Sequence, residues 1–157
     1  MENNDILRRV RYALDIKNQE MVEIFKLGGV EISKMDVLEM LKKVDEEEEQ
    51  ETIKCNNKMM EAFLNGLITY KRGTQDNNQT PPPPSTEPIN NMLLKKLKIA
   101  LSLTSDDMME IFEEARIGIT KSELGAILRK EGHRNYKECG DKFARNFLKG
   151  LAIKYRG

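Results

Sequence analysis

The sequence predicts an all-α protein made of two tandem homologous units, each of about four short helices. Two observations lead to this prediction. FLNGLITYKRG at 63–73 returns as FLKGLAIKYRG at 147–157, so a segment of one half recurs at the end of the other. Apolar residues also recur with helical spacing in both halves, and no segment shows the strict alternation of a half-buried strand.

The repetition extends over both halves of the chain. NNDILRRVRYALDIKNQEMVEIF at 3–25 aligns with NNMLLKKLKIALSLTSDDMMEIF at 90–112, and after a short deletion Cys55 aligns with Cys139. A unit of about 70 residues is much longer than the repeats of typical solenoids. The chain therefore reads as a duplication of one small helical domain.

This alignment divides the chain into a first helical unit at 1–73, a proline-rich linker at 74–88 and a second helical unit at 89–157. The linker is polar and aperiodic, and its four prolines favour a stiff polyproline II spacer on the order of 12 Å long. A plain tether is expected, and a docking site for a proline-binding domain is the alternative. Because isolated units of this size bury little core, we expect them to pack together about a pseudo-two-fold axis.

The first helix of each unit is expected to begin at the paired asparagines at 3–4 and 90–91, since asparagine is a favoured N-cap. The second helix carries methionine, isoleucine and phenylalanine on one face in both units. In the second unit, Thr104 and Asp107 have the spacing of a capping box.

The third helix has the clearest start. Ser33 is followed three residues later by Asp36, and Thr120 is followed in the same way by Glu123. This pairing of a hydroxyl with a carboxylate is typical of a helix N-terminus. Two matching boxes predict that a helix begins at each of these positions.

The fourth helix contains a glycine within its apolar stripe in both units. A glycine in the middle of a helix costs roughly 1 kcal/mol relative to alanine. Because Gly66 and Gly150 fall on the inward face, we expect each to lie where another helix crosses closely. Cys55 and Cys139 continue the same apolar stripe, which predicts a structural role for these four residues.

A family resemblance rests on these motifs. The asparagine-led start of each unit, the LKK and LRK segments, the C-x-D-like start of the last helix and FLNGLI followed by RG resemble the YehS-like family. Its members are small bacterial proteins with a repeated domain of unknown function, number 1456 in that series. The resemblance covers both halves without the linker. It implies an all-helical, cytoplasmic bacterial protein, and it brings no activity, substrate or cofactor that could be transferred.

Composition agrees with a small helical protein that does not engage membranes. Hydrophobic residues make up 39% of the chain and charged residues 33%, and no apolar stretch approaches the roughly 20 residues that cross a bilayer. No cationic segment followed by an apolar run marks a signal peptide. We expect a cytoplasmic protein in which both cysteines stay reduced.

The stretch HRNYKECGD at 133–141 is the best candidate for catalysis, because His133, Cys139 and Asp141 could serve acyl or redox transfer. The first unit, however, has Glu46 in place of the histidine and Asn57 in place of the aspartate. One histidine and two distant cysteines also do not form a tetrahedral metal site. We therefore expect no catalytic residue, cofactor or metal, and an enzyme is the least favoured alternative.

Basic residues recur at equivalent positions of the two units, although the formal net charge is zero. If they cluster, they would form a surface for phosphate groups, weakened in the first unit by the acidic run DEEEEQE at 45–51. The candidate polyanion contacts are Arg8, Arg9, Arg11, Lys34, Lys42, Lys43, Lys95, Lys96, Lys98, Lys121, Arg129 and Lys130.

The segment 105–130 resembles part of a helix-turn-helix, with GITKSELGAIL supplying the turn and the second helix. Any packed helix pair with a capped second helix looks similar. Duplication of a fold without an evident catalytic trio favours a non-enzymatic binding or adaptor module with a protein partner. A nucleic-acid-binding regulatory protein is the alternative.

Overall fold

The computed structural model of the chain describes residues 1–42, 53–73 and 85–156, and within them every regular element is a helix, as predicted. The first repeat contains α1 (Asn3–Ala13), α2 (Asn18–Leu27), α3 (Lys34–Leu41) and α4 (Asn57–Arg72). The second repeat contains α5 (Ile89–Ala100), α6 (Ser105–Glu114), α7 (Lys121–Leu128) and α8 (Asp141–Arg156). The proline run of the linker, the acidic run at 45–51 and Lys43 lie outside the described residues.

The two repeats pack against each other through equivalent helices, the first helix of one repeat on the fourth helix of the other. Within each repeat α2 packs on α4 and α6 on α8, and the third helix, α3 or α7, contacts the two helices that precede it. Between the repeats, α1 packs on α8 and α5 packs on α4. α1 corresponds to α5, and α4 corresponds to α8. Interchanging the two repeats therefore turns the α1–α8 contact into the α5–α4 contact, as a pseudo-two-fold axis requires. One apolar core runs through both repeats.

The predicted starts of the third helices are confirmed. Ser33 caps α3 by accepting a hydrogen bond from the Asp36 amide, and Thr120 caps α7 by accepting one from the Glu123 amide. The capping box that was expected at Thr104 is also present at the start of α6. These caps satisfy amide groups that the first turn of a helix leaves without partners.

The expected asparagine caps of α1 and α5 are wrong. The N-cap of α1 is Glu2 and that of α5 is Pro88, and neither side chain makes a capping hydrogen bond. The asparagines lie inside the first turn of each helix, where their amides bind groups that are distant in the sequence. These contacts are described below with the cysteines.

Gly66 and Gly150 lie where the second and fourth helices of their repeats pass close to each other. A Cβ atom on Gly66 would lie 1.9 Å from the carbonyl oxygen of Ile24 in α2. One on Gly150 would lie 2.0 Å from the carbonyl oxygen of Ile111 in α6. Ile24 and Ile111 are equivalent residues, so both repeats use the absence of a side chain at the same crossing.

Candidate functional site

An open groove of about 360 Å³ lies between α1 and α8, at one of the two contacts between the repeats. We refer to it as the α1/α8 groove. Its lining combines apolar and charged side chains, which are Asp5, Arg8, Arg9 and Tyr12 from α1, and Leu148, Lys149 and Ala152 from α8.

The α1/α8 groove carries an excess of positive charge. Asp5 accepts from Arg8 at 3.4 Å and from Nε of Arg9 at 3.0 Å. Arg9 makes its hydrogen bond to Asp5 through Nε and not through its two terminal nitrogens. Lys149 and, one turn earlier on α8, Arg145 are both exposed. Among the described residues, the lining of the groove therefore holds three cationic side chains and one carboxylate.

The symmetry-related contact between α4 and α5 has a different set of charges. By analogy we refer to the surface along this contact as the α4/α5 groove, and Lys95 and Lys96 there occupy the positions of the two arginines. Glu61 occupies the position of Arg145, and Asn65 that of the α8 lysine. The α4 side of this groove is thus acidic where the α8 side of the other groove is basic.

The chain segment that leads into α5 supplies a second carboxylate to the α4/α5 groove. Glu87 forms an ion pair with Lys95 and accepts a hydrogen bond from the hydroxyl of Tyr136 at 3.3 Å. The side chains of Glu87 and Lys95 are 12% and 21% exposed. The backbone amide of Ser85 donates to both carboxylate oxygens of Glu61, at 3.2 and 3.1 Å. The segment is thereby held at both of its ends.

The pKa of Lys96 reflects the same two carboxylates. Burial lowers the pKa of its amine, and the carboxylates of Glu61 and Glu87 act in the opposite direction. Both carboxylates are therefore close enough to Lys96 to influence its charge. Within the part of the chain that the structure describes, Glu61 and Glu87 balance the two lysines of the α4/α5 groove, whereas three cations and one carboxylate line the α1/α8 groove.

Several duplicated basic residues have structural partners. Arg8 donates to the carbonyl oxygen of Lys42 at the end of α3, and Lys95 donates to the equivalent carbonyl oxygen of Arg129 at the end of α7. A cation beside the last carbonyls of a helix is favourable. This duplicated pair therefore ties the first helix of each repeat to the third.

A second duplicated pair holds the two repeats together. Arg72 at the end of α4 donates to the carbonyl oxygen of Ile99, and Arg156 at the end of α8 donates to that of Tyr12. The guanidinium of Arg156 also lies 4.3 Å from the centre of the Tyr12 ring. Ile99 and Tyr12 are equivalent residues, so the same contact forms on both sides of the axis.

Other duplicated cations also bind groups of the protein. Arg11 donates to Asn18, Lys42 pairs with Glu39, Lys121 pairs with Asp106, and Arg129 donates to the carbonyl oxygen of Asn135. Lys34 and Lys130 are exposed, Lys98 is half-buried, and Lys43 lies outside the described residues. Structural contacts thus account for much of the duplication without a polyanion.

The cysteines lie beside a duplicated asparagine that binds three backbone groups. Asn4 donates to the carbonyl oxygens of Met40 and Ile53 and accepts from the amide of Cys55. Asn91 does the same with the equivalent residues Ile127, Lys137 and Cys139. We refer to these contacts as the asparagine lock. The lock joins the end of the third helix to the segment before the fourth in each repeat.

The environment of the thiols opposes nucleophilic chemistry. Burial raises the pKa of Cys55 to about 12. Burial, and to a lesser extent the charge of Asp141, raises that of Cys139 to about 11. A reactive cysteine needs the opposite shift, because the thiolate is the nucleophile. Both thiols are therefore neutral near pH 7.

His133 and Asp141 have partners other than Cys139. His133 is exposed, and its Nδ1 accepts from the amide of Asn135 at 3.1 Å. Asp141 binds the amino-terminal ammonium and Asn90, and these hydrogen bonds lower its pKa. The candidate trio therefore lacks the hydrogen bonds that would couple a base to a nucleophile.

The helix-turn-helix-like segment at 105–130 and its counterpart in the first repeat present different faces to solvent. In α7, Lys121 and Ser122 are exposed near the start of the helix. In α3, the exposed positions include the apolar residues Met35 and Leu38, which are replaced in α7 by Ser122 and Gly125. The two third helices therefore do not share one reading surface.

A metal site and a membrane-spanning helix can be considered for the part of the chain that the structure describes. No cluster of His, Cys, Asp and Glu there is arranged to hold a metal ion. None of the described helices has both the length and the apolar character needed to span a bilayer.

Sequence reasoning missed the residues that distinguish the two grooves. Matching charges in the aligned repeats identify cations that are common to both. The grooves differ instead at a position with opposite charges, which is Glu61 in the first repeat and Arg145 in the second. Glu87 was assigned to the linker and not to a groove. A comparison of the repeats for charge reversal, position by position, would have found the first of these signals.

Comparison with known proteins gives a family but no activity. A family model described as "Protein of unknown function (DUF1456)" matches residues 3–73 and 90–157. The chain is 42% identical to "Uncharacterized protein YehS" of Escherichia coli (strain K12) over 154 residues, which cover 98% of this chain and 96% of that protein. No solved structure gives a significant match.

Proposed function

Since the chain belongs to the DUF1456 family, described as of unknown function, we propose a function from its own geometry: it is a non-enzymatic binding module that engages a protein partner through the α1/α8 groove. The observation that carries this proposal is the difference between the two grooves. In the described ranges of the chain, Glu61 and Glu87 neutralise one groove, while the equivalent groove is open and its lining holds three cations and one carboxylate.

The character of the lining favours a protein partner. Tyr12, Leu148 and Ala152 place apolar surface beside the cations, and such a mixture suits side chains of a protein. A nucleic-acid backbone would instead need cations spread along its length. Arg72 and Arg156, which are basic in both repeats, are occupied at the contact between the repeats.

Nucleic-acid binding is kept as the second candidate because of one observation, the net positive charge of the α1/α8 groove. Phosphate contacts through Arg9, Arg145 and Lys149 would produce binding that weakens steeply with salt. The enzyme alternative has no comparable support, since both thiols are neutral.

The proposal can be tested by site-specific photo-cross-linking in the native cell. A photo-reactive amino acid in place of Lys149 samples the groove, and one in place of Lys121 on α7 samples an exposed position outside it. We expect protein adducts that resist nuclease at the first position and are much weaker at the second. Nuclease-sensitive adducts at either position would support the nucleic-acid alternative, and no adducts at Lys149 would exclude the groove.

A further inference from the structure

We draw no further inference here: the strongest candidate, the exposed apolar surface that Met35 and Leu38 form on α3 and that Ser122 and Gly125 replace on α7, is an unpartnered helix face, and nothing in the structure shows what covers it.

Discussion

The α1/α8 and α4/α5 grooves are formed by equivalent helices but obtain their negative charge from different sources. Of the residues that the structure describes, Asp5 is the carboxylate that lines the first, and Glu61 and Glu87 balance two lysines in the second. The interiors of the repeats, by contrast, agree in detail, from the asparagine lock to the glycine at the helix crossing. Close packing and buried hydrogen bonds allow few solutions, whereas surface charge can change freely. The described charges of the two grooves therefore differ although the interiors of the repeats agree.

Adding a methyl group at the helix crossings is the strongest test that the interiors of the two repeats are equivalent. Gly66→Ala and Gly150→Ala should each lower the free energy of unfolding by about 3 kcal/mol or more, because the new Cβ meets a backbone carbonyl that cannot move aside. Urea denaturation measures the loss. Gly125→Ala in α7 is the matched control, since no atom lies within 4 Å of its Cβ position. Its stability should be unchanged or raised by about 0.5–1 kcal/mol. A large loss in only one repeat would contradict the equivalence.

Removing the asparagine lock should have the next largest effect. Asn91→Ala leaves an amide and two carbonyl groups without their partner, and should cost about 2–3 kcal/mol. Asn4→Ala should cost less, since Asn4 is only partly buried and water can replace some of its contacts. The measurement is again urea denaturation, with Asn146→Ala in α8 as control, since this half-buried asparagine bonds the carbonyl oxygen of Lys142 within its own helix. Equal stability of Asn91→Ala and the wild type would show that the lock is not structural.

Stability should fall at alkaline pH because of the buried thiols. The pKa of each thiol is raised in the folded protein from its ordinary value of 9.0, to about 12 for Cys55 and about 11 for Cys139. The unfolded chain therefore releases these protons first. The stabilising contribution is complete below pH 9 and is lost between pH 9 and 11–12. The free energy of unfolding, followed against pH, should fall less in the variant carrying Cys55→Ala and Cys139→Ala. Parallel curves would refute the assignment.

The smallest effect on stability, and the sharpest test of the grooves, is expected for Glu87→Gln. This change removes the carboxylate that pairs with Lys95, and since the two side chains are only 12% and 21% exposed, stability should fall by about 1–2 kcal/mol. The amide signals of Lys95 and Lys96 should shift, because the charge beside them is lost. Thr86→Ala, which removes a contact to Glu131 in the same segment, is the control and should leave these signals in place. Unchanged stability and spectra with Glu87→Gln would show that Glu87 does not neutralise this groove.

The sequence predicted features that depend on short-range patterns. The capping residues Ser33 and Thr120 act within one helical turn, and the inward direction of Gly66 and Gly150 follows from helical spacing. Local rules are sufficient at such positions, and the duplication supplied a second, independent example of each.

The features that the sequence did not reveal depend on distant contacts. Asn4 resembles an N-cap, yet its partners are 36 to 51 residues away along the chain. A side chain with both a donor and an acceptor can satisfy either role, and only the tertiary structure selects one. The same holds for Glu87, whose role requires that α5 lies against α4. The α1/α8 groove is not local to either repeat.

The packing of each first helix on the fourth helix of the other repeat has a consequence for assembly. The first helix of each repeat finds its main partner for close packing, the fourth helix, in the other repeat. A single repeat set free in solution would expose this surface and, at sufficient concentration, would pair with a second copy of itself. The covalent tether makes this pairing intramolecular, with an effective concentration on the order of millimolar for a short connection. Association of the two repeats therefore does not depend on protein concentration. The surfaces of the two repeats can also diverge in sequence, as those of the subunits of a heterodimer can.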